Sequence, residues 1–196
     1  MEKHGARSSS PATADFDPEI PVVEAIRHGD AYALAELMRR QGRWVRGVIF
    51  AVCGRMADVD DVTQQVWLRV WQEAPRLAEP SRWRAWLYRI ARNAAVDSLR
   101  SRRRQRTLVE AVTSAGQLRR HDEPPETVLA GQEEQTLVLD AIAELPALYR
   151  EPFVLRHLEN WSYAEIGGLL GLPADTVETR LVRARRKLRE ALKGKT

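Results

Sequence analysis

From residue 18 to about residue 106, apolar residues recur at intervals of three and four, without the sustained alternation of a half-buried strand. The spacing predicts four helices. The first, Pro18 to His28, stops at Gly29. The second opens on an Asp30 cap, carries Leu34, Leu37, Met38, Trp44, Val45, Val48 and Ile49, and ends at Gly54. The third opens at Asp58 and sets Val59, Val62, Val66 and Val70 in one stripe, ending before Pro75. After a loop containing Pro80, Ser81 caps a fourth helix bearing Trp83, Leu87, Ile90, Ala91 and Ala94. Four such helices suffice for one compact bundle.

The periodicity breaks between Arg119 and Glu126, where Pro124 and Pro125 exclude a packed helix. It then resumes over residues 133–145, 146–158, 162–170 and 174–192. The expected fold is therefore all-α: two small helical domains, 18–106 and 133–196, joined by a flexible linker over 107–132. Residues 1–17, small, polar and aperiodic, read as a disordered N-terminal tail.

Within the second domain, Ser162 followed three residues later by Glu165 marks a helix start. Gly171 gives a sharp exit, and Pro173 with Asp175 begins the next helix. Ile166, Leu169, Leu170, Leu172 and Val177 face one another across this turn. A helix, a short glycine-containing turn and a second helix form the helix-turn-helix, whose second helix lies in the DNA major groove. At 100° per residue, Val177, Leu181, Ala184, Leu188 and Leu192 fall on one side and must be core. Thr179, Val182, Arg183 and Arg186 then face outward. Arg183 can be bidentate to guanine, Thr179 can hydrogen-bond either way, and Val182 can touch a thymine methyl. Arg186, with the more lateral Arg180, Arg185, Lys187 and Arg189, suits phosphates.

Charge sharpens this picture more by its distribution than by its sum. The 196 residues carry a net charge of only +4, with a pI near 9.6. Yet residues 82–106 hold nine arginines against Asp97, a net +8, and residues 171–196 hold eight cations against three acids, a net +5. Residues 107–135 are net negative. Each domain thus ends in its own basic helix. On the fourth helix, Arg82, Arg89, Asn93, Val96 and Arg100 form a second stripe with Trp86 and Asp97 at its edge, a mixture able to hold a strand's backbone and stack on exposed bases. Trp86 is equally readable as core. On the third helix, Asp60, Asp61, Gln64, Gln65 and Leu68 lie off the valine stripe and suit a protein surface better than DNA. A solvated face is the other reading of those five.

Three stretches resemble the bacterial extracytoplasmic-function (ECF) sigma factors, small alternative members of the sigma-70 type. They are Asp58 to Trp71, Trp86 to Asn93 with Asp97, and Leu145-Pro146 through Ser162 to Ile166 and on to Thr176-Val177. The resemblance implies a sigma-2-like four-helix domain and a sigma-4-like helix-turn-helix domain. It implies that core RNA polymerase is the partner, with the acidic face of the third helix on the β′ clamp and the second domain on the β flap. It implies recognition of the minus-10 promoter element by Arg76 and Leu77 in the loop 74–80, where an unstacked base is trapped, and by Arg89, Asn93, Asp97, Arg100 and Arg103. The minus-35 element falls to Thr179, Arg180, Val182, Arg183 and Arg186. An anti-sigma factor is a further partner of such proteins. Two positions depart from the family pattern. Glu178 stands where a basic or neutral residue is common and could accept from a cytosine amino group; Gly167 stands where alanine is usual and allows close approach of two helices.

The alternative function is a helix-turn-helix regulator acting without incorporation into polymerase. Neither basic fourth helix nor acidic third helix is needed for that role. Enzymatic function finds no support: His4, His28, His121 and His157 are scattered, no phosphate-cradling glycine loop occurs, and Asp58, Asp60 and Asp61 diverge on a helix and read as a capping cluster at its positive N-terminus rather than a metal site. No catalytic residue, metal or cofactor is expected. A single cysteine, Cys53, and no apolar run near the ~20 residues of a membrane span point to the cytoplasm.

Overall fold

The computed structural model describes residues 17–113, 130–159 and 161–193. Eight α-helices and no strands occur among them: α1 (Glu19–Arg27), α2 (Ala31–Cys53), α3 (Val59–Glu73), α4 (Trp83–Thr113), α5 (Ala130–Glu144), α6 (Ala147–Glu159), α7 (Tyr163–Leu170) and α8 (Ala174–Lys193). The all-α expectation holds, and the helix ends follow local chemistry. Asp30 caps α2 by accepting from the Tyr32 and Ala33 amides at 2.8 and 3.1 Å. Gly54 ends α2 at φ +69, a left-handed conformation that side chains resist.

Two boundaries differ from the pattern-based reading. Helix α4 continues through Thr113, because the arginine run after residue 100 has good helix propensity and its exposed face needs no apolar partner. Helix α5 likewise begins at Ala130, so the expected linker 107–132 is helical at both ends; its middle, and the expected tail up to residue 16, lie outside the described residues. Asp17 belongs to the fold, since its carboxylate accepts from the Trp83 indole N–H at 2.8 Å. Ser81 sits inside a 3₁₀ turn, Pro80–Arg82, that leads into α4.

Helices α1 to α4 form the first bundle. The valine stripe of α3 is fully buried, as are Trp83, Leu87, Ala91 and Ala94 of α4. Asp58, expected to cap α3, makes no cap bond; its buried carboxylate is ion-paired with Arg102 and ties the start of α3 to the basic end of α4. Helices α5 to α8 form the second module.

The two modules pack on a shared core. Trp44, Val48 and Val52 of α2 belong to the same cluster as Leu155, Trp161, Ile166 and Leu181 of the second module. The Trp44 and Trp161 rings lie 6.0 Å apart. At the centre is Arg150 of α6, only 7% exposed. Its Nε donates to the Ala51 carbonyl (2.7 Å) and Nη2 to that of Val52 (2.9 Å), while Nη1 donates to the Ala143 (2.6 Å) and Leu145 (3.1 Å) carbonyls. These carbonyls lie at the C-terminal ends of α2 and α5, where the last turn has no helical donors left and the dipole favours a cation. A Cβ at Gly54 would collide with the same guanidinium, so glycine there serves both conformation and space.

The α7 cap supplies a direct test. Ser162 Oγ accepts from the Glu165 amide at 3.2 Å, and Glu165 accepts from the Ser162 amide at 2.7 Å, a reciprocal capping box. These Ser162 hydrogen bonds hold the Glu165 carboxyl below its usual value. Because the folded pKa is lowered, its contribution is present above the unfolded carboxylate value and fades as pH falls through the folded one. Ser162→Ala should cost about 1 kcal/mol in denaturant unfolding at neutral pH, and the difference from wild type should shrink on acidification.

Candidate nucleic-acid interface

Helix α8 is placed by its buried side. Val177, Leu181 and Ala184 are fully buried and Leu188 nearly so, which fixes the rotation of the helix. Thr179, Val182, Arg183 and Arg186 consequently face solvent, with Val182 57% exposed. Exposed beside arginines, Val182 is free to touch a thymine methyl. The approach of α7 depends on Gly167: a Cβ there would lie 2.5 Å from the Leu172 carbonyl oxygen. Thr179 donates its hydroxyl to the Asp175 carbonyl at 2.9 Å and so presents lone pairs outward. Arg186 lies 3.8 Å from Glu190, a solvated pair of little energetic weight. Arg180, lateral to this face, is half-buried and lines a space together with Arg89, Arg92 and Asn93 of α4.

The second feature lies at the start of α4. A 3₁₀ turn (Ala74–Arg76), the following loop and the first turns of α4 enclose a cleft of ≈ 440 Å³ lined by Glu73, Arg76, Leu77, Glu79, Arg82, Trp86 and Arg89, among others. That volume lies within the range of small-molecule sites, so an extruded base can enter. Leu77 and Trp86, each 9% exposed, are walls of the cleft rather than protruding contacts. Of the two readings of Trp86, the structure gives the core one: the ring is buried, and its edge contributes to the cleft lining. Arg76 and Arg89 are exposed at its edge.

Asn93, Asp97, Arg100 and Arg103 follow on the exposed side of α4. Asp97 is ion-paired with Arg69 of α3 at 3.2 Å, so its charge is partly answered from within the protein. Sequence reasoning missed the acidic lining residues Glu73 and Glu79, the latter 2.6 Å from Arg82. The clustering of Glu73, Arg76, Glu79 and Arg82 around two prolines was the available signal.

On α3, Asp60, Asp61, Gln64, Gln65 and Leu68 are all exposed, with Leu68 at 58%. They form one outward strip opposite the buried valines. Asp60 is ion-paired with Arg46 of α2. Trp67 is buried and Trp71 half-buried, so neither belongs to the strip.

Electrostatics elsewhere are structural. Burial lowers the Arg150 pKa and raises that of Cys53, whose thiol donates to the Ala95 carbonyl at 3.7 Å. Among the described residues, no group of three or more metal-ligating side chains occurs, and no helix is long and apolar enough to cross a membrane.

This geometry coincides with two family models. The one described as Sigma-70 region 2 matches residues 37–105, and Sigma-70, region 4 matches residues 135–188. The chain belongs to the sigma-70 family, in its ECF group. It is 30% identical over 170 residues to the ECF RNA polymerase sigma-E factor of Haemophilus influenzae, covering 84% of this chain and 89% of that protein. It is 26% identical over 177 residues to the ECF RNA polymerase sigma factor SigW of Bacillus subtilis, covering 87% and 95% respectively. Among solved structures it is similar to CnrH in complex with the cytosolic domain of CnrY, with a TM-score of 0.66, 26% identity, and coverage of 92% of this chain and all of that one.

The outward position of Arg183 gives a specific expectation. Arg183→Ala should cost about 1–3 kcal/mol on duplex DNA carrying the preferred upstream sequence and relax the preference at one base pair, measured by binding to a set of single-base variants. A uniform loss across all of them would make Arg183 a phosphate contact.

Proposed function

We propose that this chain is a promoter-specificity subunit: it joins core RNA polymerase, directs it to promoters bearing defined minus-10 and minus-35 elements, and promotes strand opening. The observation that supports this reading is the coexistence on one chain of two differently shaped basic surfaces, the outer face of α8 and the cleft at the head of α4. Helix α8 has the form of a duplex reader, whereas the cleft at the head of α4 suits an unpaired base beside a basic strip that can hold a single strand.

In this reading Thr179, Val182 and Arg183 read the minus-35 element, with Arg180 and Arg186 on phosphates. Arg76 and Leu77 receive the unstacked minus-10 base, and Arg89, Asn93, Asp97, Arg100 and Arg103 hold the adjoining strand. Asp60, Asp61, Gln64, Gln65 and Leu68 dock on the β′ clamp, and the second module sits on the β flap. The work is done in the cytoplasm, where the polymerase acts, with no cofactor and no catalytic step of the chain's own. The similar protein CnrH is solved with a protein partner; here an anti-sigma factor takes the corresponding part.

Purified chain added to core polymerase should give initiation that depends on both promoter elements, measured by run-off transcription. Asp61→Lys should abolish that gain and weaken association with core enzyme, while leaving the isolated chain's DNA affinity unchanged or higher. Duplex binding without any promoter-dependent initiation would contradict this function and favour a conventional regulator.

A further inference from the structure

Helices α4, α6 and α8 enclose a second space, of ≈ 320 Å³, which shares only Arg89 with the lining of the cleft at the head of α4. Its polar lining is Tyr88, Arg89, Arg92, Asn93, Glu151 and Arg180. Three guanidiniums face one carboxylate there, and that carboxylate, Glu151, is already paired with Arg92 at 2.9 Å. Arg89 of α4 and Arg180 of α8 remain as the uncompensated cations of the lining. A space of this volume is about 7 Å across, narrower than the ~12 Å major groove alone, so a DNA duplex cannot enter it. A small anion can.

A second observation points the same way. Tyr88 is 2% exposed and its hydroxyl has no hydrogen-bond partner; Arg92 stands beside it without meeting hydrogen-bond geometry. Burial, with the Glu151 charge adding to it, pushes this hydroxyl well above its usual pKa, so it stays protonated and able to donate. A buried donor without an acceptor is costly, and an anion seated among the arginines would supply the acceptor.

We propose that this space binds a short phosphate chain, a pyrophosphate group either free or at the end of a nucleotide, and that its occupation competes with promoter DNA. Guanidinium forks bind phosphate oxygens in pairs. Because Arg89 and Arg180 come from different helices, each of two linked phosphates can meet its own uncompensated cation. The volume lies at the low end of small-molecule sites and exceeds what a single phosphate fills. Arg89, Asn93 and Arg180 are also the side chains proposed above to hold DNA, so the competition rests on that reading, whereas the site does not.

Calorimetric titration of the full chain without polymerase tests the site, with phosphate, pyrophosphate, ATP and AMP as probes. Pyrophosphate should bind one per chain, about tenfold more tightly than phosphate or AMP. ATP equal to pyrophosphate identifies the phosphate chain alone as the ligand, and ATP much tighter identifies a nucleotide. Tyr88→Phe removes only the unpaired hydroxyl and should weaken pyrophosphate about fivefold without loss of thermal stability. Glu151→Gln removes the acid and should tighten binding by a similar factor, a gain that damage to the fold cannot produce. Competition is read from binding of an upstream-element duplex at constant ionic strength. Pyrophosphate should displace the duplex from wild type, and about fivefold more should be needed for Tyr88→Phe, whose affinity for DNA alone is unchanged. No saturable binding at millimolar pyrophosphate, or equal affinities in wild type, Tyr88→Phe and Glu151→Gln, overturns the site. A filled site that leaves duplex binding unchanged overturns the competition. Absence of promoter-dependent initiation with core polymerase is a separate result, which would remove the reading of α4 and α8 without touching the site.

Discussion

One buried guanidinium ties the molecule together. Arg150 lies where the C-termini of α2 and α5 converge, and the four carbonyls it satisfies come from both modules. Burying an arginine costs several kcal/mol, and that cost is visible as a lowered pKa. Hydrogen bonds to a charged donor return roughly 1.5–3 kcal/mol each, with the two helix dipoles adding to them. The four bonds together offset that cost, so the contact fixes how the ends of α2 and α5 meet. One detail follows from it: Gly54 must lack a side chain, because a Cβ there would collide with the guanidinium.

The rest of the chain separates support from reading. Each of the two helices proposed to contact DNA has a buried side locked by small or branched apolar residues and an outer side free to carry cations. In α8 the buried Val177, Leu181, Ala184 and Leu188 aim Arg183 outward. In α4 the buried Leu87, Ala91, Ala94 and Ala95 do the same for Arg89 and Asn93. Not every cation of the basic runs is available for DNA. Arg102 is held by Asp58 and Arg92 by Glu151, so the net charge of +8 over residues 82–106 overstates what a phosphate backbone meets.

Much of this was legible in the sequence because it is local. The 3.6-residue period fixed the faces of α3 and α8, the Asp30 and Ser162 caps marked helix starts, and Gly54 and Gly171 marked ends, each with φ near +70. The loop between α3 and α4 could be singled out from its prolines and arginines, although its acidic lining could not. What escaped was long-range. The Arg150 bonds to Ala51 and Val52 span about a hundred residues of sequence, and no periodicity encodes them. A partial signal existed, since Arg150 falls at helical spacing with Phe153, Val154 and His157 on a mostly apolar side of α6. Asp58 was read as a cap from its position, whereas its burial against Arg102 depends on how far α4 extends. The packing of the two modules on one core was invisible for the same reason.

Two basic surfaces of one chain, the outer face of α8 and the head of α4, are proposed to serve one initiation event. Protection of promoter DNA by the complex of this chain with core polymerase tests that most directly. Protection is expected at both the minus-35 and the minus-10 element, the first weakened in Arg183→Ala and the second in Asn93→Ala. Protection of one element alone, or of neither, would contradict the account.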